Sequence, residues 1–344
     1  FIAVFLTTHK WTQLDIGLNL GLFNNAVSLK VDYYRMITSN MLFNVSLPQA
    51  SGFTSTRINA GKMLNTGWDF DASANLKGRN ISWNGNLTVS VLHNEVTYIP
   101  PQISKIASTY NVTQVGEPVG SLYGYKIEGI FNSQAQLDDP KLAAWTGARG
   151  LGAFIFKDVN GDGQIDARDL TVIGNPHPKL VLGFNNVIGY KNLTLSVLAT
   201  GGFGFEILPE KNEWLYNEKG RWNVSTEFLH AWKSTEDPGN GIIPAIYYPG
   251  QHTASSAWVE KGNYVWVKNV TLGYKIPNRL LEKTRVISDL RVYIGVRNAL
   301  RFTGYTGWNP EVSTYGGTNA QTFGVDNFSY PVARTYTLGV DISL

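Results

Sequence analysis

Arg334-Thr-Tyr-Thr-Leu-Gly-Val-Asp-Ile-Ser-Leu344 closes the chain with unbroken alternation. Successive side chains of an extended strand point to opposite faces, so Tyr336, Leu338, Val340, Ile342 and Leu344 share one face. Thr335, Thr337, Gly339, Asp341 and Ser343 share the other. One continuous apolar face and one polar face suit a strand with lipid outside and water inside, as in a transmembrane β-barrel. The period recurs upstream. In 11–22, Leu14, Ile16, Leu18, Leu20 and Leu22 alternate with Asp15, Gly17, Asn19 and Gly21, and in 65–76 Trp68, Phe70, Ala72, Ala74 and Leu76 alternate with Asp69, Asp71, Ser73 and Asn75. In 81–92, Ile81, Trp83, Leu87, Val89 and Val91 oppose Ser82, Asn84, Asn86, Thr88 and Ser90. Stretches 27–44, 180–190, 192–203, 263–275 and 289–302 follow less cleanly, which with the last strand predicts about nine strands.

Composition agrees with this reading. Of 344 residues 43% are hydrophobic, 12% aromatic and only 16% charged, which excludes a largely disordered chain. No stretch reaches the roughly 18–20 consecutive apolar residues of a spanning helix, so membrane insertion must use strands. Net charge is +3, with basic residues scattered, so no nucleic-acid footprint is present. Cysteine is absent, which removes disulfides and thiolate chemistry. The polar strand positions are mostly Asn, Ser, Thr, Gly and Asp rather than the Lys and Glu of a soluble sandwich, and they suit a water-filled lumen. Aromatics near strand ends, Trp68, Phe70, Trp83, Tyr264, Trp266, Tyr293 and Tyr336, are expected in interfacial girdles.

Connections alternate short and long. Phe23–Ala26, Lys77–Asn80 and Tyr190–Lys191 are short; Pro277–Ser288 is moderate; 45–62, 97–179, 204–262 and 303–332 are long. Outer-membrane barrels have short periplasmic turns and long external loops, so the order assigns a side to each connection and a periplasmic carboxyl terminus. Complete bacterial barrels have an even strand number with both ends inside. The odd count therefore predicts a carboxyl-terminal part of a larger barrel, with residues 1–10 as the tail of an external loop or a fragment boundary.

The longest loop contains Asp158-Val-Asn160-Gly-Asp162-Gly163-Gln164-Ile165-Asp166-Ala-Arg-Asp169. Oxygen side chains at positions one, three, five, nine and twelve, glycine at six and the Gln164 carbonyl at seven match a calcium loop. The pattern predicts a structural Ca2+ held by Asp158, Asn160, Asp162, Gln164, Asp166 and Asp169, with Ile165 packed beneath it. An Asx-rich turn that binds nothing is the alternative, since Asp, Asn and Gly also form turns. Loop 204–262 is rich in rings, and Trp214, Trp222, Trp232, Tyr247, Tyr248 and Trp258 are candidate substrate platforms, with packing into the loop's own core or into a girdle as the alternative. Catalytic signals are absent: the five His residues (His9, His93, His177, His230, His252) show no paired motif spacing. Asp69 and Asp71 imitate a glycosidase pair, but alternation explains them as lumen acids. The residues thus favour a membrane barrel; a soluble, calcium-stabilised carbohydrate-binding or adhesive β-protein is the competing class.

Several segments resemble one family. Gly116–Phe131 (GEPVGSLYGYKIEGIF), Phe156–Asn186, Tyr264–Pro277 (YVWVKNVTLGYKIP), Val296–Glu311 and the terminal strand, with Ser51–Ala74 from an earlier part, are similar to the carboxyl-terminal barrel of SusC/RagA-type TonB-dependent outer-membrane transporters. The resemblance implies an all-β, antiparallel barrel of about 22 strands. It also implies an amino-terminal plug, a SusD-like lipoprotein lid, energy from the TonB complex through a segment upstream of this chain, and active uptake of a glycan or peptide rather than enzymatic turnover. The family usually ends in Phe, whereas this chain ends in Leu344. A Ca2+-ordered 97–179 loop would then dock lid or substrate.

Overall fold

A computed structural model describes residues 10–46, 50, 52–53, 55–59, 61–101, 103–211, 215, 223–245, 253–282, 286–311 and 322–344. The alternating runs form nine long strands: β1 (Lys10–Leu22), β2 (Val27–Ser39), β3 (Lys62–Lys77), β4 (Ile81–Tyr98), β5 (Leu180–Tyr190), β6 (Leu193–Phe203), β7 (Tyr264–Lys275), β8 (Asp289–Thr303) and β9 (Thr335–Ser343). They make one sheet in sequence order, each pairing antiparallel with the next. Among the described residues β1 and β9 are its two edges.

Register explains how two faces arise from period-2 sequences. Leu18, Val31, Phe70, Val89 and Leu182 stand opposite one another across five strands, and Leu272, Ile294 and Leu338 continue the apolar face on β7–β9. These side chains are uncovered: Leu18 is 57% and Leu338 78% exposed. A sheet-wide apolar surface of this kind is unstable in water and calls for lipid. The other face carries Gly17, Asp32, Asp69 and Ser90 in one row and Asn19, Lys30, Asp71 and Thr88 in the next. Its acids are tied locally: Ser90 Oγ donates to Asp69 at 2.5 Å, Asn86 Nδ2 to Asp71 at 2.9 Å, and Lys30 pairs with Asp32 at 3.0 Å.

Three of the expected girdle aromatics point the other way. The β6–β7 and β7–β8 registers both shift at Lys268, and this extra residue inverts the alternation of β7. Val270, Leu272 and Tyr274 share the outer face, whereas Tyr264 and Trp266 turn to the polar side. Trp266 is buried there, with Lys268 Nζ 3.6 Å from its ring centroid and the Arg301 guanidinium at 5.6 Å. Tyr293 also faces inward, under Arg291, because it alternates with Val292 and Ile294. Trp68 and Trp83 remain on the outer face and are exposed, Trp68 lying 5.0 Å from Tyr33.

The short and long connections segregate to opposite ends as expected. Residues 23–26, 78–80 and 191–192 are tight turns, Lys191 taking a left-handed φ of 53°. A helical turn, α1 (Asn278–Leu281), lies in the fourth connection at that end. At the opposite end, the strand read as 27–44 stops at Ser39, where Asn40 takes φ 56°, and residues 42–46 form a separate hairpin with 55–59. β4 runs on to Tyr98, beyond 92, because β3 extends alongside it to Lys62.

The long connections are not independent loops. Within 99–179 a four-stranded sheet runs in the order 171–174, 121–124, 111–114, 105–107, and 127–130 pairs with 154–156. Residues 206–209 pair antiparallel with 260–261 and parallel with 325–326, which joins the last two connections. A shared core of Leu122, Phe154, Phe156, Leu208, Trp232, Trp258 and Val325 packs all three into one body.

Candidate functional site

Where this loop body meets the polar face of the sheet lies a cavity of 770 Å3, bordered by Tyr34, Asn65 and Asn94 from the strands and by Glu117, His177 and Lys179 from the loop. Backbone pairing fixes its roof, since Val96 N donates to Glu117 O and Gly116 N to Val96 O, both at 2.9 Å. Asn94 links wall and roof: its Nδ2 donates to Asn65 Oδ1 at 2.6 Å and its Oδ1 accepts from Val119 N at 2.8 Å. His177 Nε2 donates to Val119 O at 2.7 Å, and its ring stacks on Phe323 at 5.2 Å. Burial pushes the His177 pKa down, so the imidazole is neutral at physiological pH and acts as a fixed hydrogen-bonding group. Polar groups of mixed donor and acceptor character are set in a lining that is otherwise mostly apolar, with Val91, Leu92, Pro118 and Pro178 in it, which suits a ligand that has both apolar faces and hydroxyl or amide groups. None of these residues was singled out from sequence as a site; the Asn175–Lys179 turn was visible only as part of the family resemblance.

The Asp158–Asp169 segment folds as a tight loop whose acids are mostly committed to the loop itself. Asp158 accepts from Gly161 N at 2.6 Å and Gly163 N at 2.7 Å, Asn160 Oδ1 from Asp162 N at 2.8 Å, and Asp162 Oδ1 from Gln164 N at 2.9 Å. Gly163 has φ 78°, the left-handed turn that position six requires, and Ile165 is buried beneath as expected. Asp169 is fully buried and accepts from Val159 N and Asp166 N, both at 2.9 Å. Arg168 Nη2 sits 2.7 Å from Asp162 and 2.6 Å from Asp166. The donor chemistry suits Ca2+, but among the described residues no three acidic or His side chains converge as a metal shell. Arg168 holds the position between Asp162 and Asp166 that a cation would share.

The Gly163 amide, then that of Gly161, holds the Asp158 carboxyl below its ordinary range, and Arg168 does the same to Asp166. Depressed carboxylates stabilise the folded loop above their unfolded pKa, about 3.9, and that contribution is lost as pH falls through the lower folded values. Proteolytic protection of the loop is therefore expected to stay flat from neutral pH down to about 4 and to fall only below it. Asp169→Ala removes the acceptor of the Val159, Asn160 and Asp166 amides, at an expected cost of about 1–3 kcal/mol in all, measurable as earlier loss of the loop in a thermal proteolysis series.

Two of the six expected substrate aromatics are redirected by the structure. Trp232 and Trp258 are buried in the shared loop core, Trp258 5.9 Å from Phe154, so they hold the loops together rather than offer free faces to a ligand. Apolar rings of this size stabilise more inside a core than in solvent, and the core of three merged loops was large enough to take them. Trp214, Trp222, Tyr247 and Tyr248 lie outside the described residues.

The fold and loop body have known counterparts. The family model for the TonB dependent receptor-like β-barrel matches residues 10–299. TonB-dependent receptor P3 of Formosa agariphila is 31% identical over 97% of this chain and 34% of its own length, and TonB-dependent receptor SusC of Bacteroides thetaiotaomicron is 25% identical over 98% and 32%. The structure of the RagAB peptide importer in its closed-closed state superimposes with a TM-score of 0.77 at 25% identity, over 97% of this chain and 35% of that one. The chain spans about a third of the length of these relatives. They are receptors and transporters, not enzymes, and their barrels belong to the outer membrane. From the family match over most of the chain, with the nine-stranded two-faced sheet in agreement, this chain belongs to the TonB-dependent receptor-like β-barrel family.

Proposed function

We propose that this chain forms the carboxyl-terminal part of the wall of an outer-membrane receptor that imports an oligosaccharide or peptide. TonB supplies the energy through a plug region upstream of this chain, and a SusD-like surface lipoprotein covers the loop body. The single observation that carries the reading is the pairing of a lipid-type outer face with an inner face that ends, at one side, in a large folded loop body over a cavity. The soluble adhesin alternative gives no reason for nine strands with uncovered apolar side chains in register. Short connections then lie in the periplasm, together with the carboxyl terminus, and the loop body lies outside the cell.

Cells carrying the full-length receptor and its neighbouring lipoprotein are expected to accumulate labelled oligosaccharides or peptides, and to lose that accumulation when TonB is deleted. Uptake that persists without TonB would indicate a passive pore. The Asp158–Asp169 loop takes Ca2+, in this reading, through Asp158, Asn160, Asp162 and the Gln164 carbonyl, with Asp166 and Asp169 completing it once Arg168 swings out. Calorimetric titration with Ca2+ should then show roughly tenfold tighter binding for Arg168→Ala, because site charge tunes affinity, and loss of binding for Asp158→Ala. Three identical titrations would remove calcium from the account.

A further inference from the structure

The outer face of β1–β4 carries no charge from Leu14 and Tyr33 down to the tight turns, and its cations all lie at the end next to the loop body. Alternation is unbroken along β1 and β2, so Lys10 and Arg35 share that face with Leu18 and Val31. Lys62 joins them, because it stands opposite Ser39 in the register that sets Phe70 opposite Val31. Rings mark where the change occurs. Tyr33 and Trp68 meet at 5.0 Å and Trp68 stacks on Phe70 at 6.3 Å, an aromatic row of the kind that borders the apolar band of a barrel. The next row towards the loops carries Leu14, Arg35, Thr66 and His93, and two rows further stand Lys10, Ser39, Lys62 and Tyr98. Strands lie about 4.8 Å apart, so Lys10 and Lys62, on either side of Ser39, are about 10 Å apart, with Arg35 about 13 Å nearer the rings.

These three cations lack acids. Among the described residues the side chains of Lys10 and Arg35 meet no carboxylate and no ring, and Lys62 has the Tyr98 ring alone, 5.9 Å from its Nζ. Glu95, the one acid in those rows, is paired with His93 at 3.3 Å. On the inner face, by contrast, Lys30 pairs with Asp32 at 3.0 Å and Arg291 with Asp341 at 3.5 Å, and Lys268 has Glu311. Unpaired Lys and Arg side chains are ready donors to a phosphate, and the hydroxyls of Thr12, Ser39 and Thr66 lie on the same face among them. The patch is continuous with the uncovered apolar face below it. A molecule that covers both has an anionic head and apolar tails, which selects a lipid over a soluble anion or a polar protein surface.

We propose that Lys10, Arg35 and Lys62 hold the phosphate of a lipid headgroup in the leaflet on the loop-body side, with Tyr33 and Trp68 against the upper part of its chains. Placing that leaflet outermost rests on the uptake reading, which sets the loop body outside the cell. The test uses the full-length receptor with its lipoprotein in dodecyl maltoside, titrated with diphosphorylated lipid A and followed by native mass spectrometry, with dephosphorylated lipid A as the control for chain contacts. Wild type should bind the phosphorylated form and lose most of it in high salt. Lys10→Gln/Arg35→Gln/Lys62→Gln should bind roughly a hundredfold more weakly, each cation contributing severalfold, with an unchanged melting temperature. Lys10→Arg/Arg35→Lys/Lys62→Arg should recover most of the affinity, and the inward-facing Lys30→Gln should leave it unchanged. Equal binding by wild type and the glutamine variant overturns the proposal, as does equal binding of the dephosphorylated form. Unchanged lipid binding by the glutamine variant together with loss of the lipoprotein, or with a changed oligomeric state, makes the patch a protein contact and overturns it too. Each of these results leaves TonB-dependent uptake standing, and uptake that survives deletion of TonB sinks the uptake reading without touching the lipid contact.

Discussion

Phe184→Arg in the full-length receptor is expected to lower folded-state stability by about 2–4 kcal/mol, the cost of an Arg on the lipid face near the bilayer midplane. Phe184 stands opposite Leu87 and Ala199 in the middle of β5, on the uncovered apolar face, and is 38% exposed with no protein over it. The next residue, Asn185, stands opposite Asn86 and faces the polar side. Asn185→Arg should therefore cost far less, since a lumen position is hydrated. Urea titration of receptor folded in vesicles, followed by heat-modifiable mobility, separates the two. Equal losses for the neighbouring substitutions would mean that the two faces are not lipid and water.

Phe156→Ala is the second substitution expected to have a large effect, about 3–5 kcal/mol within the loop body, as for a deleted core aromatic. The ring is 1% exposed and meets Trp145 at 5.8 Å, Tyr125 at 5.9 Å and Phe154 at 6.1 Å. Its backbone also pairs with Ile127 and donates to Ala143 O at 2.9 Å. Because this cluster is shared by the large connections, loosening it should expose them together. Protease added to intact cells should cut the variant in several connections at a temperature where wild type resists, while the strands stay protected in the membrane. Cleavage confined to 99–179 would show that the loops are separate units after all.

The strands were legible because a β-sheet writes its two environments into the sequence with period two. Leu14 to Leu22, Trp68 to Leu76 and Tyr336 to Leu344 each declare a face without any neighbour. The exceptions are equally physical. Tyr264 and Trp266 continue, by sequence alternation, the face of Val270 and Leu272, yet the extra residue at Lys268 inverts them, and a bulge carries no reliable composition signal of its own. The calcium pattern fixed the turn of Asp158–Asp169, including the left-handed Gly163, but not the part taken by Arg168. A guanidinium two residues from Asp166 reaches both Asp162 and Asp166 only after the loop has closed.

The loop rings show the same division. Trp232 and Trp258 are indistinguishable by residue type from Trp308, yet the first two are buried while Trp308 is exposed. Which ring is covered depends on three connections that are far apart in sequence and adjacent only after the sheet has brought strand ends together. The sequence by itself determined the strands, their two faces and the sorting of short and long connections, because each depends on near neighbours along the chain. Only the tertiary structure decided the shared loop core and the cavity under it, because each is made by residues that meet across long separations.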